Sequence, residues 1–434
     1  MLTFFAGVST FMEYFFYVFS FITLFIEIYF LVTFLEFFED LNIKNKEVNT
    51  TLKNEDCPAV TITVPAYNEG TNIRKTVDSL LESNYPKEKL FLILVDDGSK
   101  DNTFEIMKEY ENNPQIKIFT KPNGGKYTAQ NLGIVNSHTE FVGSIDADCT
   151  VEKNALRRMM NIFVTKQHIM GVSPATAVVG AKNFIQSAQA IDYQLQIYIK
   201  KMFSFVKAMN VISGTFPIFR KEVFDKIGLY TGGHQTEDQE LTLRMQVNHM
   251  EIEHAYNAYV YTGGMKNIPA LYKQRKRWIY GFIKNTLDYK KLMFNSEYGN
   301  IGFISLPTGF LAIFAGIFLF LYLIFNIYEY FYMKYLTFSA VGFSSVIELN
   351  FTKNVFFINT SALLFISILF YIVFLTSVYI SGKMYTGKAK FSIGIIYYFL
   401  TYAIIAPFWL MRAVYNAIKN TEPNWTKEID ARIK

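Results

Sequence analysis

The sequence predicts an α/β domain, built on a mostly parallel, Rossmann-like sheet and flanked by transmembrane α-helices. Two observations lead to this fold class. Between residues 59 and 165, apolar runs of strand length alternate with stretches of helical period, which is typical of a doubly wound sheet. On either side of a polar region that extends from about 55 to 300, the chain becomes strongly apolar. We therefore expect a globular domain attached to a membrane part.

Within the polar region, each predicted strand leads into a polar cluster. In chain order the elements are AVTITVP (59–65), a helix over 70–83, LFLILV (90–95), a helix over 103–111, IKIF (116–119), a helix over 126–137 and FVGSI (141–145). The clusters AYNEG, DDGS, NGGK and DAD follow the four strands. Ligands of such sheets bind beyond the carboxyl ends of the strands, so we expect these clusters to surround one ligand.

Four apolar stretches, at 11–38, 302–328, 355–380 and 391–411, are each about as long as the ~20 residues that an α-helix needs to cross a bilayer. The first has no basic start or cleavage site, which predicts a retained anchor. Lys44, Lys46 and Lys53 follow it and no Lys or Arg precedes it, so the polar region is expected in the cytoplasm. The protein is thus predicted to be a multi-pass protein of the cell membrane.

Four crossings would leave the C-terminus outside, yet its last residues carry a basic excess that favours the inside. Either 391–411 is re-entrant or one crossing is miscounted. The predicted organisation is a transmembrane helix (1–40), a catalytic domain (55–265), amphipathic interface helices (266–298), C-terminal transmembrane helices (299–412) and a basic tail (413–434).

Composition restricts the partners. The net charge of +5 suits a protein beside anionic lipid headgroups and gives no reason to expect nucleic acid. Two cysteines are too few for a disulfide framework, which agrees with a reducing compartment.

The DAD cluster places Asp146 and Asp148 two residues apart at the end of a strand. Two such carboxylates can reach one hard divalent cation, for which we expect Mg²⁺ or Mn²⁺. The metal would neutralise charge on a diphosphate leaving group. Taken alone, the same spacing is more often a simple turn or helix cap.

The clusters after the first two strands offer groups for a nucleotide base. One carboxylate of Asp96 and Asp97 would accept an N–H of the base, and Tyr67, with Glu69 nearby, would present a ring to its face. Each feature alone fits a turn or a cap. Their convergence at neighbouring strand ends favours the binding site.

NGGK (123–126) can bring backbone N–H groups and the Lys126 charge close to an anion, although it is not a Walker A loop. A glycine turn with a solvated lysine is an equal alternative. TEDQE (236–240) supplies Glu237 and Asp238 as candidate catalytic acids, with Asp238 as the general base that deprotonates a sugar hydroxyl. An acidic first helical turn explains the same pattern without catalysis.

QRKRW (274–278) precedes the second apolar stretch. If 267–290 is helical, Gln274, Arg277 and Trp278 share one face. Arg277 would then bind diphosphate oxygens and Trp278 would offer a flat surface to an acceptor sugar. Arg275, Lys273 and Lys276 are expected to point elsewhere, towards lipid headgroups. An interfacial helix with an anchoring tryptophan is the alternative.

With YNEG, DDGS, DAD, TED and QRKRW in this order, the chain resembles the membrane-embedded family 2 glycosyltransferases, which include the synthases of poly-N-acetylglucosamine, hyaluronan, chitin and cellulose. The resemblance covers roughly 58 to 290, and QRKRW fits the pattern Q-(Q/R)-x-R-W at every position. It implies a GT-A fold, a UDP-sugar donor and inversion at the anomeric carbon.

The resemblance also implies roles for individual residues. Asp96 and Asp97 would hold the base, while Asp146 and Asp148 would hold metal and diphosphate. Asp238 would be the base, and Gln274, Arg277 and Trp278 would clamp donor and acceptor. The segment ISGTF (212–216) lies where relatives place a loop beneath the acceptor terminus.

The function expected is a processive polysaccharide synthase that uses a UDP-sugar, with UDP-N-acetylglucosamine favoured by family frequency alone. Its partners would be the donor, the growing polysaccharide, the bilayer and, where present, accessory subunits. One alternative is a transferase that adds a single sugar to a lipid or polyprenyl phosphate. Another is a membrane transporter whose cytoplasmic domain senses nucleotides, which the near absence of charge in the C-terminal spans disfavours.

Overall fold

The structure is a computed structural model that describes residues 2–41, 52–342, 362–387 and 392–422. Its centre is an eight-stranded mixed sheet in the order β3-β2-β1-β4-β7-β6-β8-β5. The strands are β1 (Val60–Ala66), β2 (Leu90–Asp96), β3 (Ile116–Thr120), β4 (Phe141–Ser144), β5 (Cys149–Val151), β6 (Ile169–Val179), β7 (Ile218–Arg220) and β8 (Glu251–Gly263).

Helices surround the sheet and form the membrane part. Those of the described residues are α1 (Leu2–Glu36), α2 (Ile73–Leu81), α3 (Thr103–Lys108), α4 (Lys126–Val135), α5 (Ala155–Thr165), α6 (Phe184–Phe205), α7 (Glu222–Ile227), α8 (Glu237–Val247), α9 (Ile268–Asp288), α10 (Leu306–Val341), α11 (Ala362–Thr386) and α12 (Gly394–Lys419).

The first four strands confirm the predicted parallel sheet. β1 pairs in parallel with both β2 and β4, and β2 pairs in parallel with β3. All seven residues of β1 are buried, as expected for a strand with helices on both faces of the sheet. The main apolar core lies here and includes Val60, Ile62, Val64 and Leu92.

The second half of the sheet is mixed. β7 is antiparallel to both β4 and β6, β5 is antiparallel to β8, and β6 pairs in parallel with β8. This half brings the loop before β7 beside the end of β4, and β6 lies on the other side of β7. The polar residues after β4 therefore meet segments that lie far away in the sequence.

Within the described residues, four helices are long and apolar enough to cross a membrane, over Met12–Glu36, Ile301–Ala340, Leu364–Tyr385 and Gly394–Lys419. The protein is a multi-pass membrane protein. The predicted stretch 355–380 begins in residues outside the described part, and its helix continues to Thr386. Lys44, Lys46 and the tail from 423 onward also lie outside the described residues.

Both ends of α12 lie against the globular domain. At its start, the backbone of Gly394 approaches the carbonyl of Ser187 in α6. Just beyond its end, the Asn420 amide oxygen accepts a hydrogen bond from Lys284 of α9 at 2.8 Å. Between these points α12 packs against α6 and α9, and the described part of its opposite face is an exposed apolar stripe that includes Ile396, Leu400 and Ile404.

Candidate active site

A single cavity of about 1410 Å³ opens at the carboxyl ends of β1, β2 and β4. Eleven of the twelve site residues predicted from the sequence line it: Tyr67, Glu69, Asp97, Lys126, Asp146, Asp148, Glu237, Asp238, Gln274, Arg277 and Trp278. Its wall continues to Gly309, Ala312 and Ile313 of α10 and to Leu410 of α12. One space therefore connects the strand ends with the apolar helices.

Asp96 is the predicted residue that does not line this cavity. Its side chain is 3% exposed and accepts hydrogen bonds from the Thr120 hydroxyl at 3.0 Å and the Ser99 N–H at 3.1 Å. Asp96 thus joins β2, β3 and the following turn beneath the cavity.

Asp97 organises the glycine-rich loop. Its carboxylate accepts the N–H of Gly124 at 3.0 Å and of Gly125 at 2.9 Å, and it forms an ion pair with Lys121 at 2.5 Å. The anion that the NGG backbone meets is therefore this carboxylate, which was not expected from the sequence. Gly125 has a φ of 90°, a conformation that favours glycine.

Asp146, Asp148 and the Cys149 thiol have potential ligand atoms within 4.8 Å of one another. Burial raises the pKa of the Cys149 thiol well above its ordinary value, which keeps the sulfur protonated. That thiol donates to Asp148 Oδ1 at 3.6 Å. The donors suited to a metal are thus two carboxylates, and oxygen donors of this kind fit Mg²⁺ or Mn²⁺.

The Lys126 ammonium lies at the centre of the acidic groups. It is 2.5 Å from Asp146 Oδ1 and 3.1 Å from Glu237 Oε1, and it donates to the Gly214 carbonyl at 3.2 Å. Burial opposes its charge, but Asp146 and Glu237 outweigh that effect and hold its pKa well above the ordinary value. Lys126 is thus a partly buried cation held by two acids and is not the solvated lysine of the alternative interpretation.

Glu237 and Asp238 begin α8 and differ in their surroundings. Burial opposes the charge of Glu237, yet Lys126 and Arg277 outweigh it and lower its pKa. Burial and then the Glu237 charge raise the pKa of Asp238, against the opposing charges of Lys126 and Arg277. Asp238 accepts the Gly214 N–H at 3.1 Å, which brings the predicted ISGTF loop against the candidate base.

A strained loop precedes these acids. His234 and Gln235 have φ values of 48° and 66°, which are rare for residues other than glycine. The Gln235 carbonyl accepts a hydrogen bond from Arg277, and the His234 ring contacts Asp288 at 2.7 Å and Glu422 at 3.3 Å. Residues of α9 and Glu422, which follows α12, thus hold the loop in its conformation.

The predicted helix through QRKRW is confirmed as α9, and Gln274, Arg277 and Trp278 all face the cavity. Gln274 Oε1 is buried and has no hydrogen-bond partner within the described residues, which leaves it available to a ligand. The prediction that Arg275 points to lipid headgroups is wrong. Arg275 is 7% exposed and donates to Asp192 of α6 at 2.6 Å.

Helix α6 contributes to the cavity in a way that the sequence does not predict. Asp192 belongs to this helix, and Tyr193, Gln196 and Lys200 of the same helix line the cavity. Burial lowers the pKa of Lys200 to about 8, against the opposing charges of Asp238 and Asp192. The spacing of Tyr193, Gln196 and Lys200 fits one helical face, but the segment carries no recognisable motif.

The geometry agrees with what comparison with known proteins shows. Residues 61–228 match the model of glycosyl transferase family 2. These residues therefore form a glycosyl transferase family 2 domain. Over 342 residues the chain is 28% identical to the poly-β-1,6-N-acetyl-D-glucosamine synthase of Staphylococcus epidermidis. The alignment covers 75% of this chain and 80% of that protein. The synthase of the same name from Staphylococcus aureus strain COL is 28% identical over 266 residues, 60% of this chain and 64% of that protein.

A solved structure supports the fold. The mannosyltransferase PcManGT from Pyrobaculum calidifontis, in complex with GDP-Man and Mn²⁺, superposes with a TM-score of 0.54 and 14% identity. The superposition covers 92% of this chain and 100% of that protein. The expected GT-A fold is confirmed. The protein is a glycosyltransferase enzyme, and the transporter alternative is set aside.

Proposed function

We propose that this glycosyltransferase extends a polysaccharide from a UDP-sugar, with inversion and over successive cycles, and passes the product towards the membrane helices. UDP-N-acetylglucosamine is the donor that we favour, because two synthases similar in sequence are named for poly-β-1,6-N-acetyl-D-glucosamine.

The observation that carries the proposal is the continuous cavity. Acidic residues at the strand ends, the candidate base Asp238 and the aromatic Trp278 line one space, which also reaches Ile313 of α10 and Leu410 of α12. A site for the addition of one sugar needs only the part of the cavity that holds the acidic residues, Asp238 and Trp278. The extension to apolar helices offers a path for a product that remains bound between additions.

On the donor side, we assign the base to the region of Tyr67 and Asp97 and the diphosphate to Lys126 and Arg277. Asp146 and Asp148 would hold Mg²⁺ or Mn²⁺, which would neutralise charge on the departing diphosphate. Lys126 and Arg277 both act on the charges of Glu237 and Asp238, and these two cations would stabilise the charge of the departing diphosphate.

On the acceptor side, Asp238 would take the proton of the attacking sugar hydroxyl. The oxygen of that hydroxyl forms a bond to the anomeric carbon of the donor as the bond between this carbon and the diphosphate breaks. Burial and the charge of Glu237 raise the pKa of Asp238, while Lys126 and Arg277 lower it, and a raised pKa suits a general base. Attack opposite the leaving group requires no nucleophile from the protein and predicts inversion.

For the membrane topology, we propose that α12 lies along the membrane surface. Its two ends both contact the globular domain, and its exposed apolar stripe would face lipid. Three crossings, by α1, α10 and α11, then leave the basic C-terminal residues on the cytoplasmic side. Cysteines placed at 415–434 should react with an impermeant reagent only in inside-out vesicles.

The function is tested with purified protein in vesicles, supplied with Mg²⁺ or Mn²⁺ and a panel of UDP-sugars. We expect release of UDP from one of them and a ladder of products that linkage-specific hydrolases digest. A product of one size would favour transfer of a single sugar to a lipid or polyprenyl phosphate. No release of UDP from any donor would overturn the proposal. Addition of candidate accessory subunits to the same assay tests whether they are needed.

A further inference from the structure

The Arg275 guanidinium is buried between the acceptor region and the membrane helices. Its central carbon lies 4.4 Å from the centre of the Trp278 ring, and 5.8 Å from the rings of Tyr193 and Tyr402. Because Arg275 and Trp278 are three residues apart on α9, they are neighbours on its surface. A cation so placed attracts the face of the indole and restricts its rotation.

A buried cation is costly unless a partner balances it. Asp192 of α6 does so: it accepts from Arg275 at 2.6 Å, and the Gln196 amide donates to the same carboxylate oxygen at 3.0 Å. The two ion-pair side chains are only 9% and 14% exposed. The pair therefore joins α6 to α9, and its geometry is fixed from both helices.

We propose that Arg275, held by Asp192, is a positioning residue that orients the Trp278 indole for the acceptor sugar. The inference rests on the proposed function, because it assigns the cavity side of the indole to the acceptor. Among the described residues, no hydrogen bond or ion pair joins Arg275 or Asp192 to Asp146 or Glu237, the acids that surround Lys126. Loss of the pair should therefore affect the placement of the acceptor more than the reaction of the donor.

The same contacts connect the acceptor site to α12 through Tyr402, whose ring faces Arg275. Since α12 packs against both α6 and α9, a shift of this helix would move the cation and with it the indole. The contacts of Arg275 thus link the orientation of Trp278 to the position of the helices that the product would pass.

The test compares Arg275→Gln, Arg275→Lys and Asp192→Asn with the wild type in vesicles. We expect Arg275→Gln to lower chain extension by about tenfold relative to hydrolysis of UDP-N-acetylglucosamine, with a higher KM for added N-acetylglucosamine oligosaccharides. Arg275→Lys should restore part of the loss because it keeps the charge but not the planar stacking. Asp192→Asn should be the most damaging, because it leaves the guanidinium buried and unpaired.

A spectroscopic measurement separates positioning from folding. The sequence has three tryptophans, so the emission of Trp278 is obtained as the difference from the matching Trp278→Phe protein. In Arg275→Gln we expect a shifted Trp278 emission and increased quenching by acrylamide. The added oligosaccharide should change that emission in the wild type and less in the variant.

Arg220 provides a matched control. Its guanidinium lies 5.0 Å from the Phe141 ring and pairs with Glu140 at 2.7 Å, and it does not line the cavity. Arg220→Gln should reduce extension and hydrolysis equally and leave the Trp278 emission unchanged. If Arg275→Gln behaves in the same way, the pair is purely structural and the inference is overturned. If the wild-type protein releases no UDP, the proposed function itself is overturned. This outcome differs from failure of the inference about Arg275, which only the substituted proteins can show.

Discussion

The Lys126 ammonium lies 2.5 Å from Asp146 Oδ1, where the start of α4 meets the end of β4. The same cation is 3.1 Å from Glu237, which begins α8. One lysine therefore joins the candidate metal carboxylates to the candidate catalytic acids. Without Lys126, the carboxylates of Asp146, Glu237 and Asp238 would face one another in a partly buried space.

Lys126→Met should weaken donor binding and lower turnover by about a hundredfold or more, because it removes a charge that balances Asp146 and would contact the diphosphate. Binding of UDP is measured by calorimetry with Mn²⁺ present. Lys117→Met, which replaces an exposed lysine of β3, is the control. Unchanged affinity for UDP in Lys126→Met would remove Lys126 from the donor site.

Asp238→Asn should lower sugar transfer by about 10²- to 10⁴-fold, the range expected when a general base is lost, while donor binding persists. The amide preserves the shape and can still accept the N–H of Gly214, so the loop should keep its place. Transfer is measured with a radiolabelled UDP-sugar and binding by calorimetry. Loss of binding together with transfer would argue that Asp238 supports the donor.

The acid limb of the pH profile should report Asp238. Burial and then the negative charge of Glu237 raise the pKa of Asp238, whereas Lys126 and Arg277 lower it. Activity should therefore rise with pH as Asp238 loses its proton, with a midpoint above that of an ordinary aspartate. Glu237→Gln removes the charge that opposes ionisation, so the midpoint should move to lower pH.

The measurement for Glu237→Gln is kcat/KM against pH, at saturating metal. Glu222→Gln, at an exposed position on α7, should leave the midpoint unchanged. A midpoint that moves to higher pH in Glu237→Gln would mean that another group controls this limb. Lys200 faces the same carboxylate, and its own pKa of about 8 places its titration well above the acid limb.

The strand ends could be predicted from the sequence because β1, β2 and β4 are short, apolar and each followed by polar residues. Parallel neighbours end at one edge, which is why Tyr67, Asp97 and Asp146 share a cavity. The partners of these residues could not be predicted. Gly214 meets Asp238 because β7 lies between β4 and β6, and this pairing of distant segments leaves no local signal in the chain.

Two details that the sequence does not reveal have the same physical origin. Helical spacing placed Gln274, Arg277 and Trp278 on one face, but it does not reveal that α6 and α12 cover the face of Arg275. Likewise, the NGG motif predicts N–H groups that approach an anion, and the anion that they meet is the Asp97 carboxylate at the neighbouring end of β2. In each case a neighbouring element supplies the hydrogen-bond partner of a group for which the motif indicates no partner.

Gly281 allows α9 to approach the loop before the catalytic acids. A Cβ atom at this position would lie closest to Oγ1 of Thr236, and 2.6 Å from Cγ2 and 2.9 Å from Cβ of the same side chain. Thr236 directly precedes Glu237, donates to the Gly233 carbonyl at 3.0 Å and accepts from Asn285 at 2.8 Å. The side chain therefore has little freedom to move away.

In an isolated helix, Gly→Ala is stabilising by about 1 kcal/mol. Here we expect Gly281→Ala to destabilise the protein by about 1–3 kcal/mol, because the methyl group overpacks the contact. The displaced Thr236 should also misplace Asp238, so sugar transfer should fall further than stability alone explains. Thermal unfolding in detergent and UDP release below the unfolding range measure the two effects.

Thr236→Ala in the Gly281→Ala background removes the two closest side-chain atoms and should recover part of the lost stability, whereas Thr236→Ala alone should destabilise by loss of its hydrogen bonds. The two substitutions are thus expected to be non-additive, as for residues in direct contact. If Gly281→Ala instead raises the unfolding temperature, helix propensity outweighs the contact, and the close approach of α9 to the catalytic loop cannot be what requires glycine at this position.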